Sequence, residues 1–300
     1  MTLPSERIAV VGAGAVGCYF GGMLARAGLP VTLIGRAVHV ESIQREGLFL
    51  ERHDFQGNIR LQADTNVDAV RDATIVLLCV KTIDTETAAV SLAPHLLRDA
   101  LLVSFQNGVD NAERIQRATG IEAIPAVVYV AAAMSGPGRV KHNGRGDIVI
   151  GPVSRLADVL NVAGIPCRIS ENISGELWTK LVMNCAYNAI SAVTRLRYSS
   201  IKNDVFARDV MRKVIEEVVA VGSAAGVKMV TADELTQAAL KLGEAMAGAT
   251  SSTEQDIARG RPTEIDSLNG YVARRGQELG IPTPVNHTLY ALVKLMESSR

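Results

Sequence analysis

Gly12-Ala13-Gly14-Ala15-Val16-Gly17 follows directly on the β-branched run Arg7–Val11 and leads into a segment carrying Tyr19, Phe20, Met23 and Leu24 that stops near Gly28. Strand, G-x-G-x-x-G and helix in that order restrict the fold more than any other stretch of the chain. Gly12 permits a tight turn, Gly14 lets the main chain approach a pyrophosphate, and Gly17 lets helix and strand pack closely. The helix start adds N–H groups and the positive end of a dipole. Ala13, Ala15 and Val16 complete the cofactor-binding loop. The plainer reading is a tight strand-to-helix turn without a ligand.

Pro30–Ile34 reads as the second strand and ends in Gly35-Arg36. An NAD site usually places an acid here for the ribose hydroxyls, and that acid would repel a 2′-phosphate. Arg36 can instead pair with a phosphate in bidentate fashion, so NADPH is the expected cofactor; a solvated Arg36 is the alternative. Leu48–Leu50 and Asn58–Leu61 suggest a small hairpin. Thr74–Val80 and Ala100–Phe105 are continuous apolar runs, as strands buried on both faces should be. They run into Lys81-Thr82 and Gln106-Asn107-Gly108. Ligands lie beyond the carboxyl ends of such strands, which makes Lys81, Gln106 and Asn107 candidates. A solvated lysine and a simple turn dipeptide are the competing readings. Ala126–Ile150 reads as antiparallel strands joined by glycine turns, with His142 structural. A helix near Arg155–Ala163 and a short strand near Cys167–Ile169 should follow. The expectation is an α/β, Rossmann-type N-terminal dinucleotide-binding domain over residues 1–170.

Strand signals end near Glu171, and residues 171–300 read as an all-helical C-terminal domain that binds substrate and carries catalysis. Leu177–Asn188, LWTKLVMNCAYN, stacks Lys180, Asn184 and Asn188 on one stripe of a helix that is apolar almost all round. A buried ammonium needs partners or loses its proton. The stripe therefore faces a polar site, or Lys180 escapes to solvent while the asparagines bond neighbouring helices. Ser174 is the expected N-cap, with Glu176 in the first turn. Further helices are expected over Asn203–Ala225, over Thr231–Met246 behind a Thr231/Glu234 capping box, from Pro262 to about Gly280, and from Pro284 onward.

Lys+Arg and Asp+Glu both count 31 and aromatics make up 4%. That balance excludes a basic nucleic-acid footprint and a base-stacking surface. Cys18, Cys79, Cys167 and Cys185 show no metal-ligand spacing, which argues against a metal site and fits small core residues in a reducing compartment. The longest apolar run, Ile121–Met134, is shorter than the ~20 residues a membrane span needs. A cytoplasmic protein with no membrane partner is expected; a homodimer is left open.

Taken together, GAGAVG, Arg36, VKT, QNG, LWTKLVMNCAYN, SSTEQDIARGRPTEIDSLNG and GIPTPVN resemble the ketopantoate reductase (2-dehydropantoate 2-reductase) family over nearly the whole chain. The resemblance implies reduction of a small 2-oxo acid, ketopantoate, to pantoate with NADPH in pantothenate biosynthesis. It makes Lys180 the catalytic lysine and Glu264 the acid that holds the site network together. Asn184, Asn188 and Ser252 become substrate contacts, Asn107 lies near nicotinamide and substrate, Arg36 binds the cofactor phosphate, and Lys81 lies near the cofactor. One position departs: where the family carries an Asn for the substrate hydroxyl, ungapped counting finds Tyr198, with Asn203 as a possible substitute. A reductase of another 2-oxo or 3-oxo acid and a non-catalytic NADPH sensor are the alternatives.

Overall fold

Ile8–Val11 forms strand β1, buried on both faces, in the parallel part of a ten-stranded sheet. The structure is a computed structural model that describes residues 6–299, and the chain divides between Ile173 and Ser174 into two compact units. Residues 1 and 300, the outer bounds of the two expected domains, lie outside the described residues. The N-terminal unit runs β1, α1 (Ala15–Arg26), β2 (Val31–Ile34), α2 (Ala37–Glu46), β3 (Leu48–Glu51), β4 (Gln56–Ile59), β5 (Gln62–Asp64), β6 (Ile75–Leu78), α3 (Thr85–Leu92), β7 (Leu101–Ser104), α4 (Asn111–Thr119), β8 (Ile124–Gly136), β9 (Arg139–Ile150), α5 (Ser154–Val162) and β10 (Cys167–Ile169).

The strands lie in the order β4-β3-β9-β8-β7-β6-β1-β2-β5, with β10 on β9. β1 pairs in parallel with β2 on one side and β6 on the other. The chain thus leaves β1 in one direction and returns on its opposite side, which makes the carboxyl end of β1 a topological switch point. Apolar residues fill both faces of this part of the sheet. Ile8 and Val10 join Phe20 and Leu24 of α1 in one core, and Ala9 and Val11 join Val76, Leu78, Ala89 and Leu92 in the other. This two-sided burial is why the strands read as unbroken apolar runs. β8 and β9 form a long antiparallel ribbon, and the β3–β4 hairpin joins it through β3.

The C-terminal unit is made, among the described residues, of helices: α6 (Ile173–Thr194), α7 (Tyr198–Asn203), α8 (Val205–Ala224), α9 (Ala232–Ala245), α10 (Ser252–Ala258), α11 (Asn269–Leu279) and α12 (Pro284–Ser298). α6 opens at Ile173, so Ser174 stands inside its first turn rather than at the N-cap. The Thr231/Glu234 capping box on α9 is present with both arms. The helix expected from Pro262 begins later. A 3₁₀ turn covers Ile265–Ser267, Leu268 sits at φ −111°, ψ −109°, and α11 starts only at Asn269. The short helices α7 and α10 carry too few apolar repeats to declare themselves in the sequence.

One ion pair fastens α5 to the chain just before β1. Arg155 donates through Nε and Nη2 to the Glu6 carboxylate at 2.7 Å each, and the Thr74 hydroxyl donates to the same group. The Arg155 bond and the Thr74 hydroxyl hold the Glu6 carboxyl below its ordinary range against the opposing effect of burial. A depressed carboxylate contributes stability above its unfolded pKa and loses it as pH falls through the folded pKa. Arg155 is 44% exposed, so screening keeps the pair small. Arg155→Ala should cost about 1 kcal/mol at neutral pH and much less at acid pH, measured by urea unfolding across a pH series.

Candidate functional site

The glycine loop is shaped by main chain on both sides. Gly12 has φ +109° and donates to the Ile34 carbonyl at 2.8 Å; Ala13 donates to the same oxygen at 3.1 Å. A Cβ on Gly12 would stand 2.7 Å from the Cys79 carbonyl carbon, and one on Gly17 would strike the Gly12 oxygen. Gly14 differs, because no described atom lies within 4 Å of a Cβ built there. It N-caps α1 with extended backbone and no side-chain hydrogen bond. The loop thus presents the leading amides of α1, with Ala15 and Val16 in their first turn, to open space, as a pyrophosphate requires.

Gly35 packs against Ala13 at the end of β2, and Arg36 N-caps α2 with its side chain exposed. An exposed guanidinium one residue beyond this glycine suits a ribose phosphate. Lys81 follows β6, half-buried, at the N-cap of the 3₁₀ turn Thr82–Asp84. Asn107 follows β7, also half-buried. Gln106 does not face a ligand: it is buried, and its amide is spent on Ser104, Val80 and Thr85 inside the unit.

In the helical unit α6 is one 22-residue helix that buries Leu177, Trp178, Leu181, Val182 and Cys185 through Ala192. Lys180 and Asn184 are half-buried, and Asn188 is 3% exposed. Asn188 Nδ2 donates to Ser252 Oγ at 3.4 Å, which brings together two of the expected substrate contacts. Ser251 does the anchoring: its hydroxyl donates to the Asn188 carbonyl at 3.1 Å, and its amide donates to Ser191 Oγ at 3.2 Å. The same Ser251 oxygen accepts from Glu254 N and caps α10. Tyr198 is buried and stacks on Tyr187 with ring centroids 4.2 Å apart. Its hydroxyl lies 3.5 Å from Asn188 Oδ1, the outer edge of hydrogen-bond range. Burial pushes its phenol well above the ordinary range.

Glu264 is half-buried just before the 3₁₀ turn, its carbonyl accepting from Ser267 N at 2.9 Å. Beyond it, Asn269 donates to the Cys185 carbonyl of α6 at 3.3 Å and to Asn286 Oδ1 at 3.0 Å. Glu217 of α8 accepts from Val285 N, Asn286 N and Asn286 Nδ2 at 2.8–2.9 Å. The SLNG and TPVN segments therefore bolt α11 and α12 in place beside α6 and α8. Glu217 escapes sequence reading, because nothing local marks a carboxylate that caps a helix 68 residues away.

A family model described as Ketopantoate reductase PanE/ApbA matches residues 8–155, and its C-terminal counterpart matches residues 172–297. The chain belongs to the ketopantoate reductase family. The 2-dehydropantoate 2-reductase of Pyrococcus horikoshii is 33% identical over 97% of this chain and 98% of its own. That of Vibrio cholerae is 32% identical over 97% and 98%. The solved PanE/ApbA family ketopantoate reductase from Ralstonia eutropha is 47% identical, covers 98% of this chain and 99% of its own, and superposes with a TM-score of 0.94. D-mandelate dehydrogenase, solved with NADH and anilino(oxo)acetate, is 25% identical over 98% of both chains with a TM-score of 0.91. As a member of the ketopantoate reductase family, this chain is a dinucleotide-dependent oxidoreductase acting on CH–OH donors. No helix among the described residues is long and apolar enough to cross a membrane.

The different surroundings of two glycines separate folding from binding. Gly14→Ala should leave the melting temperature nearly unchanged yet weaken dinucleotide binding, since the methyl enters the open space. Gly17→Ala should destabilise the protein by about 2 kcal/mol or more through collision with the Gly12 carbonyl. Thermal melts paired with a dinucleotide titration check both.

Proposed function

We propose that this enzyme reduces 2-dehydropantoate to pantoate with NADPH, and that Lys180 donates the proton. The observation that carries the reading is the stripe on α6: Lys180, Asn184 and Asn188 at four-residue spacing on a helix that buries Leu177, Trp178, Leu181, Val182, Cys185 and Ala186 around them, with Ser252 at the Asn188 amide. The names of the relatives agree with this substrate.

The main chain of Gly12, Ala13, Gly14, Ala15, Val16 and Gly17 would receive the pyrophosphate, Arg36 the 2′-phosphate, and Lys81 and Asn107 the nicotinamide end. Bound NADPH supplies the hydride to the 2-oxo carbon. Hydride addition builds negative charge on the carbonyl oxygen, and a preorganised cation beside it lowers the barrier. The Lys180 ammonium would hydrogen-bond that oxygen and then give up a proton to it. Glu264 would favour the charged form of Lys180 between turnovers. Asn184, Asn188 and Ser252 would hold the remainder of the substrate.

A second reading has its own observation. Tyr198 stands where the resemblance implies an Asn for the substrate hydroxyl, and its ring is packed on Tyr187. A 2-oxo acid without that hydroxyl would suit such a wall. D-mandelate dehydrogenase, at 25% identity, was solved with an aromatic oxo acid and NADH.

Absorbance-monitored NADPH oxidation with 2-dehydropantoate, and with 2-oxo acids bearing apolar or aromatic groups, separates the two. Turnover with 2-dehydropantoate well above the others supports the first reading; the reverse order supports the second. Lys180→Ala should cut kcat by about a hundredfold to a thousandfold, and a near-normal rate would remove its role. Arg36→Ala should raise KM for NADPH by about tenfold while leaving KM for NADH nearly unchanged.

A further inference from the structure

A buried polar lattice joins the two loops that carry Lys81 and Asn107. At its hub is Thr85, fully buried in the first turn of α3. Gln106 Nε2 donates to Thr85 Oγ1 at 2.8 Å and to the Val80 carbonyl at 3.1 Å, while its Oε1 accepts from the Ser104 hydroxyl at 2.9 Å. Both amide hydrogens of Gln106 are thereby used. The Thr85 hydroxyl lies 2.9 Å from the Thr82 carbonyl and 3.1 Å from Asn111 Oδ1. Asn111 Nδ2 and Thr82 Oγ1 both donate to the Asn107 carbonyl, at 2.6 and 2.9 Å. Arg114, paired with Glu86, adds a bond to the Thr82 carbonyl at 2.9 Å.

The lattice fixes main chain on both loops. The carbonyls on either side of Lys81, those of Val80 and Thr82, are both held. Both lone pairs of the Asn107 carbonyl are taken as well, which sets the plane of the peptide leading to Gly108 at φ +94°. Side chains this deeply buried cannot exchange these partners for water, so moving one loop strands polar groups in the other. Ser104, Gln106, Thr82, Thr85 and Asn111 are each at most 5% exposed, so Thr85 and Gln106 are screened from any ligand.

We propose that Thr85 and Gln106 are positioning residues that lock the Lys81 loop to the Asn107 loop, so that the two meet the dinucleotide as one preformed surface. The proposal rests on the reading of Lys81 and Asn107 as cofactor contacts. Preorganisation of this kind acts on affinity by removing the cost of ordering two loops separately.

The test is NADPH affinity by fluorescence titration of the full-length protein, with thermal melts and kcat at saturating NADPH alongside. Thr85→Val keeps the shape and removes the hydroxyl; Thr85→Ser restores it. Thr85→Val should weaken NADPH binding by about tenfold, the order expected for a lost buried hydrogen bond, with a smaller change in kcat. Thr85→Ser should recover most of the affinity. In a Lys81→Ala/Asn107→Ala background Thr85→Val should cost about twofold or less, because both side chains it positions are already gone. An equal tenfold loss in both backgrounds, wild-type affinity in Thr85→Val, or no recovery in Thr85→Ser would overturn the coupling. Wild-type NADPH binding by both Lys81→Ala and Asn107→Ala would overturn the cofactor assignment and the inference with it. Should Thr85→Val not fold, Gln106→Met in the same two backgrounds gives the same comparison.

Discussion

Main chain pressed on main chain at the end of β1 is the constraint from which the N-terminal unit follows. The Gly12 turn hangs from the Ile34 carbonyl and lies against the Cys79 main chain, which ties the ends of β2, β1 and β6 together. A side chain at Gly12 or Gly17 would pry that arrangement open. Every candidate cofactor contact in this unit (Arg36 after β2, Lys81 after β6, Asn107 after β7) inherits its place from that junction and from the parallel ladder behind it. Burial keeps the thiol of Cys18 protonated up to about 12 and holds that of Cys79 higher still, so both act as packing groups beside the loop rather than as nucleophiles.

The helical unit solves a different problem, that of keeping polar groups inside an apolar bundle. It does so by pairing buried amides and hydroxyls with one another and with a carboxylate: Asn188 with Ser252, Ser251 with Asn188 and Ser191, Asn269 with Asn286, and Asn286 with Glu217. Bonds of this sort add little net stability each, but a lost partner is expensive. They therefore select one arrangement of α6, α8, α10, α11 and α12 over near alternatives that would be equally apolar.

Features with local causes were legible in the sequence. The Thr231 capping box and the hairpin that starts at Leu48 depend on residues a few positions apart; the box stands as read, while the hairpin's second strand, expected over Asn58–Leu61, lies at Gln56–Ile59. What escaped depends on distant partners. α7 and α10 are six and seven residues long, below the length at which a helix sustains itself. The stacking of Tyr198 on Tyr187 and the anchoring of Ser251 on Asn188 hold them. The inward turn of Gln106 was hidden for the same reason, since a residue at a strand end looks the same whether it faces a ligand or a neighbouring loop. The delayed start of α11 follows from the non-helical backbone of Leu268, whereas the Pro262–Asp266 stretch suggested an earlier one.

α6 also works as a ruler. An α-helix rises about 1.5 Å per residue, so the Cα atoms of Lys180, Asn184 and Asn188 are graduated in steps of about 6 Å along one rod. Continuous backbone hydrogen bonding keeps those graduations from shifting independently. Where the stripe contacts the substrate as proposed, a ligand of different length or branching cannot be met by flexing it. It has to be met by what flanks the rod, and the flanking pieces are the short, tertiary-held helices α7 and α10. On that proposed reading, a few residues on the least autonomous segments could change what is accepted while the spacing along α6 stays in place.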